Sequence, residues 1–167
     1  TLQVATMDLT KAEVICSMVC DFHDDTKLPI FQAPDQAPSY NLISSTQLRV
    51  KNWIALSSVL VRKDAIDAVG RFNADRSYVA VEDYDMWVRL TRNGSKILRL
   101  SCPLVHYRKL PTSISADKLM MIRRALNVIG SDYEARGLGR LFAIIKPVHW
   151  LLYVTSSAWM RAVRREL

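Results

Sequence analysis

Cysteine is scarce in this chain: Cys16, Cys20 and Cys102 are the only three. An odd number argues against a closed disulfide framework. Cys16 and Cys20 stand four apart, but no second cysteine pair or nearby histidine cluster completes a zinc site. The cysteines read as small buried apolar residues in a reducing compartment. Internal repeats and low-complexity segments are absent. A secretory signal is absent too, and the opening Thr1-Leu2-Gln3 reads as the middle of something. Acids are scarce toward the end. Over the last 45 residues eight bases face three acids, which accounts for +5 of the net charge of +7. That charge comes with no motif of nucleic-acid recognition and no aromatic-basic interleaving, so nucleic acid is not the expected partner.

What is present supports one folded domain. The chain has 167 residues, half of them hydrophobic, which is enough for a sizeable core and argues against disorder. Glu13 to Phe22 reads as a nearly continuous apolar strand, covered on both faces. Residues 23–43, with Pro29, Pro34 and Pro38, read as a long loop. Ser44 or Ser45 caps a short helix running to about Asn52. Ala55 to Arg62 reads as a second strand, and Lys63 to Val69 as a short helix closed by Gly70. Residues 71–80 connect to a helix over Glu82 to Asn93, closed by Gly94. Ile97 to Tyr107 reads as a third strand, with Pro103 marking a break or an edge. Ser115 starts a long helix whose Leu119, Ile122, Leu126 and Ile129 share one face. Gly137 and Gly139 end it, and Leu141 to Leu167 forms a second helical stretch containing Pro147.

The run Glu82-Asp83-Tyr84-Asp85-Met86-Trp87 places three carboxylates within four residues at a helix start. Acids are favoured there by the helix dipole and the unpaired first-turn N–H groups. A second reading is a carboxylate pair at the mouth of a pocket, one member acting as a general base.

Context favours the second reading. Asn52-Trp53-Ile54-Ala55-Leu56-Ser57-Ser58 is followed by Gly70-Arg71-Phe72. Next come Glu82-Asp83-Tyr84-Asp85-Met86-Trp87-Val88-Arg89, then Val105-His106-Tyr107-Arg108, and last Ser113-Ile114-Ser115. In that order they resemble the acceptor-side half of family 2 inverting glycosyltransferases, over about residues 10 to 135. The nearest likeness is to bacterial enzymes of capsular, teichuronic or O-antigen polysaccharide synthesis. The resemblance implies an α/β fold: the C-terminal part of an A-type, Rossmann-like architecture, with a mixed sheet, flanking helices and a C-terminal helical tail. It implies a division into residues 1–135, the acceptor-side half, and 136–167, a helical tail. The family's donor-binding half, with its metal-holding Asp-x-Asp, has no counterpart here. Asp24-Asp25 lies on the wrong side of the matched segment. The chain is therefore expected to be a fragment, a split-gene product or a remnant, inactive alone.

The resemblance also implies roles. Asp83 would be the base that takes the acceptor hydroxyl's proton, with Glu82 positioning the acceptor or raising the pKa of Asp83. Trp87, Asp85, Arg108, Lys109 and Ser113 would line the acceptor and phosphate side. Asp85 has a structural alternative at the helix start, and Trp87 one as a core aromatic. Lys109 stands where many members have histidine. His106 reads as a hydrogen-bonded core residue, and Ser115 as a helix cap. Magnesium or manganese would serve the full enzyme, with ligands outside this chain. The expected partners are a nucleotide sugar, a lipid-linked glycan acceptor and a missing N-terminal half or partner chain. The competing reading is a non-catalytic module that binds a partner or a membrane.

The last stretch, apolar but interrupted by Lys146, Pro147 and His149, reads as an interfacial helix rather than a spanning one, with a helix packed on the domain or on a sister chain as the alternative. Trp159 and Arg161, Arg164 and Arg165 follow it. An anionic membrane surface is thus an expected partner, and the expected location is cytoplasmic, peripheral on the inner face of the plasma membrane.

Overall fold

A computed structural model describes residues 2–22, 38–110 and 117–163. Its centre is a mixed four-stranded sheet in the order β2-β4-β1-β3. The strands are β1 (Val14–Phe22), β2 (Tyr40–Leu42), β3 (Leu60–Val61) and β4 (Ile97–Arg108). β1 and β4 run parallel, while β3 is antiparallel to β1 and β2 antiparallel to β4. The helices are α1 (Leu2–Thr10), α2 (Ser45–Val50), α3 (Lys63–Ala68), α4 (Glu82–Arg92), α5 (Lys118–Ala135) and α6 (Gly139–Val163).

Strand alternation sorts the core into two layers. Ile15, Leu98 and Leu100 point to one face and pack with Met7 and Ala12, so α1 covers that side. Val14, Cys16 and Ile97 point to the other and pack with Leu48, Tyr84, Met86, Trp87, Leu90, Val128 and Ile129. β1 is therefore buried on both faces over residues 14–17, while Met18 is exposed and residues 19–22 are only partly buried. Burial pushes the Cys16 thiol up to about 12, so it packs as an inert apolar group.

Several boundaries differ from the sequence reading. Ala55 to Arg62 is mostly not strand. A 3-10 turn occupies Leu56–Ser58, and only Leu60–Val61 pairs with β1. Ser58 Oγ donates to the Ala55 carbonyl at 2.8 Å, and the Ser17 N–H donates to Ser58 Oγ at 3.4 Å. The serine thus competes with the ladder for backbone groups. β2 lies at the end of the stretch read as a loop, whose residues 23–37 are outside the described ones. Asp117, not Ser115, caps α5: its carboxylate accepts from the Met120 N–H at 2.9 Å. Ser113 and Ser115 lie outside the described residues. β4 continues through Pro103, where its register with β1 slips. β2 pairs only with Leu98–Leu100, so the missing N–H of Pro103 breaks no bond to β2.

α6 is docked on the domain. Phe142 stacks on Tyr133 with ring centroids 5.3 Å apart, and Gly130 makes room for it on α5. His149 is buried. Its Nδ1 donates to the Arg49 carbonyl at 3.2 Å, which leaves Nε2 to accept from the Tyr133 hydroxyl at 3.1 Å. Asp132, 1% exposed, sits among Arg136 at 3.0 Å, Arg92 at 3.2 Å and Arg49 at 3.7 Å. One buried carboxylate thus ties α2, α4 and α5 together.

Candidate functional site

α4 positions the acidic run. It begins after Ala80, whose φ is +67°, and after Val81, which gives no side-chain cap. The first turn carries Glu82, Asp83 and Asp85 where the dipole favours negative charge. α4 leads into β4 through the turn at Gly94 (φ +86°), so it runs back against that strand. Its N-terminus therefore faces the end of the sheet where the parallel strands β1 and β4 finish, the side on which open α/β sheets hold ligands.

The three carboxylates have different surroundings. Asp85 is buried and bonded to Arg89 at 2.8 Å. Arg89 also donates to the Val69 and Arg71 carbonyls, the latter at 2.6 Å. Those carbonyls flank Gly70, whose φ of +83° turns the chain there. Asp85 is thus held inside a structural ion pair, and its expected place against a substrate gives way to that role. Trp87 is 1% exposed and belongs to the core. Burial leaves it no open ring face, so the expected stacking wall gives way to a packing role as well.

Asp83 is only half-buried. Its Oδ1 accepts from the Tyr84 N–H at 2.6 Å, and its Oδ2 accepts from Asn52 Nδ2 at 3.4 Å. No lysine or arginine pairs with it among the described residues. Burial pushes its carboxyl from the usual 3.8 up to about 6. The adjacent Glu82 adds to the rise, while the Tyr84 N–H and Asn52 oppose it. A helix-start acid governed by the dipole alone would move the other way, by about 0.3–1 kcal/mol. A rise to about 6 means that burial outweighs the dipole. Tyr153 of α6 lies close enough that the charge of Asp83, after burial, raises its hydroxyl pKa.

Glu82 has a buried Oε2 without a hydrogen-bond partner among the described residues, and so does the Trp87 indole N–H. Leaving such a group unpaired costs about 1–3 kcal/mol.

Arg108 and Lys109 close β4 at the same end of the sheet. The Arg108 guanidinium lies 5.7 Å from the Phe22 ring centroid. Lys109 Nζ is 4.3 Å from the Tyr107 ring centroid and 3.7 Å from Asp21. His106 meets Phe22 edge-on at 6.2 Å. A cavity of about 280 Å³ lies away from Asp83, at the other end of α4, lined by Ala68, Val69, Arg89, Arg92 and Asn93. Among the described residues no group of three or more His, Cys, Asp or Glu is arranged to hold a metal ion.

The sequence reading named Asp83 and Glu82 but gave no role to two residues at the site. Asn52 opened one of the quoted motifs, so a signal was there. Tyr153 carried none, since only the docking of α6 brings it near. Set against known proteins, the chain finds no counterpart: no protein-family model, no curated protein and no solved structure matches it.

Proposed function

We propose that this chain supplies the acceptor side of an inverting glycosyltransferase, with Asp83 as general base. The carrying observation is the state of that one carboxylate. It is half-buried, unpaired with any described cation, and raised to about 6. Such a group is ionised at neutral pH yet basic enough to accept a proton in a transition state. Fold class supports the reading only coarsely: an α/β domain with a mixed sheet and flanking helices suits a Rossmann-like architecture.

In this reading an acceptor hydroxyl approaches the start of α4. Its oxygen forms the bond to the anomeric carbon while its proton passes to Asp83. The bond from that carbon to the nucleoside diphosphate breaks, and the diphosphate leaves with the negative charge. Glu82, by its like charge next to Asp83, keeps that carboxylate basic. Arg108 and Lys109, at the end of β4, are the cations assigned to the departing charge. Donor and metal binding fall to another part of the protein or to a partner chain, so no step is assigned to a metal here.

The test is transfer from a panel of nucleotide sugars by the assembled enzyme. Asp83→Asn is expected to lower kcat on the order of 10²- to 10⁴-fold with donor binding unchanged. Glu82→Gln is expected to shift the acid limb of the pH–rate profile toward lower pH, because the Glu82 charge raises the Asp83 pKa. Undiminished turnover by Asp83→Asn would remove the assignment.

A further inference from the structure

α6 presents two unlike faces. One is docked: Phe142 and His149 are buried, and Ile145 and Tyr153 pack on the core. The opposite face is bare and apolar. Leu141 is 45% exposed, Ile144 77%, Val148 56% and Leu151 55%, and Leu152 is exposed as well. At 3.6 residues per turn, residues 141, 144, 148, 151 and 152 share an arc of roughly 100°, and the stripe is about 16 Å long. A contiguous exposed apolar stripe of this kind marks an interaction surface. No helix among the described residues is long and apolar enough to cross a membrane.

Charge decides the occupant. Between Glu134 and Glu166 the sequence holds no acid and six bases: Arg136, Arg140, Lys146, Arg161, Arg164 and Arg165. Arg136 is engaged by Asp132. Arg140 is exposed beside the stripe, whereas Lys146 is exposed on the far side of the helix. A second copy pairing on this face would bring like charges together, with no acid on the helix to offset them. An anionic lipid surface satisfies both features at once. The apolar stripe enters the headgroup boundary, and Arg140 at its edge meets lipid phosphates.

We infer that α6 is an in-plane membrane-binding helix, which attaches the domain to anionic bilayers through Leu141, Ile144, Val148 and Leu151. The inference is independent of the transferase reading. It needs only the docked geometry of α6 and its charge.

Co-sedimentation tests it with vesicles of phosphatidylcholine alone and of phosphatidylcholine with phosphatidylglycerol in equal parts. The chain is expected to bind the mixed vesicles, and to lose most of that binding at roughly 0.5 M salt. The double variant Ile144→Ser with Val148→Ser, at exposed positions and so folded by circular dichroism, is expected to partition at least about tenfold more weakly. Arg140→Gln is expected to weaken binding roughly fivefold while leaving the fold intact. Absence of vesicle binding, equal binding to neutral vesicles, or a stable dimer dissociated by the serine variant would overturn the inference.

Discussion

Asn52 Nδ2 donates to Asp83 Oδ2 across 3.4 Å, joining two stretches of chain 31 residues apart. The same Asn52 accepts the Ile54 N–H at 3.0 Å, which fixes its amide orientation. A bond of 3.4 Å is long, so Asn52 opposes only part of the rise that burial imposes on Asp83. Asn52→Ala should therefore move the Asp83 pKa further upward. In a transfer assay the acid limb of the pH–rate profile would shift toward higher pH, and an unmoved limb would show that the bond has no effect.

The raised carboxyl carries a stability cost with a definite sign. Its folded pKa is about 6 against 3.8 ordinarily, so in the window between them the folded chain holds a proton that the unfolded chain has released. Stability contributed by the neutral form is full below about pH 4 and is lost as pH rises through 6. Two units correspond to about 3 kcal/mol, and partial exposure reduces that to about 2. Asp83→Asn should thus be more stable than the parent at pH 8 by about 1–2 kcal/mol and no more stable at pH 4. Urea unfolding at the two pH values measures it.

Arg89 serves three acceptors at once: Asp85 and the carbonyls of Val69 and Arg71. Arg89→Met keeps much of the apolar stem but strands the buried carboxylate and two carbonyls. A loss of about 3 kcal/mol is expected, by the same unfolding measurement. Asp85→Asn should cost less, since Arg89 keeps its two carbonyl partners.

Gly130 sits inside α5, where alanine would ordinarily favour the helix by about 1 kcal/mol. Here an added Cβ would stand 2.9 Å from Phe142 Cε1. The ring is hemmed in by Tyr133 and His149, at 5.3 and 5.8 Å between centroids. Gly130→Ala should therefore destabilise by about 1–3 kcal/mol despite its helix propensity. Pairing it with Phe142→Leu should return part of the loss, which a double-mutant cycle would show.

The elements that sequence made legible are those with a single local cause. The apolar run of β1, the helix over Glu82 and the turns at Gly70 and Gly94 each follow from pattern or from a residue tolerant of positive φ. Ser44, one of the two expected caps, forms a capping box with Gln47 at the start of α2. What escaped depends on tertiary context. Ala55 to Arg62 has strand composition, yet Ser58 diverts its backbone into a 3-10 turn tied to β1. β2 is three residues long and gains its identity only by pairing with β4. At the site, the sequence pointed to Asp83 and Glu82 through residue type and spacing. It could not say that Asp85 is taken by Arg89 or that Trp87 is enclosed, because burial is decided by what packs above α4. The three motif pieces around Asn52, Gly70 and Glu82 are held to one another through α4, by Asn52 to Asp83 and by Arg89 to the Gly70 turn.

The central claim is that Asp83 is a proton acceptor poised near neutrality rather than an ordinary helix-start acid. Its side-chain carboxyl can be followed by carbon NMR as pH is varied in the folded chain. The account predicts a midpoint of about 6. A midpoint at or below the ordinary carboxylate value of 3.8 would contradict it.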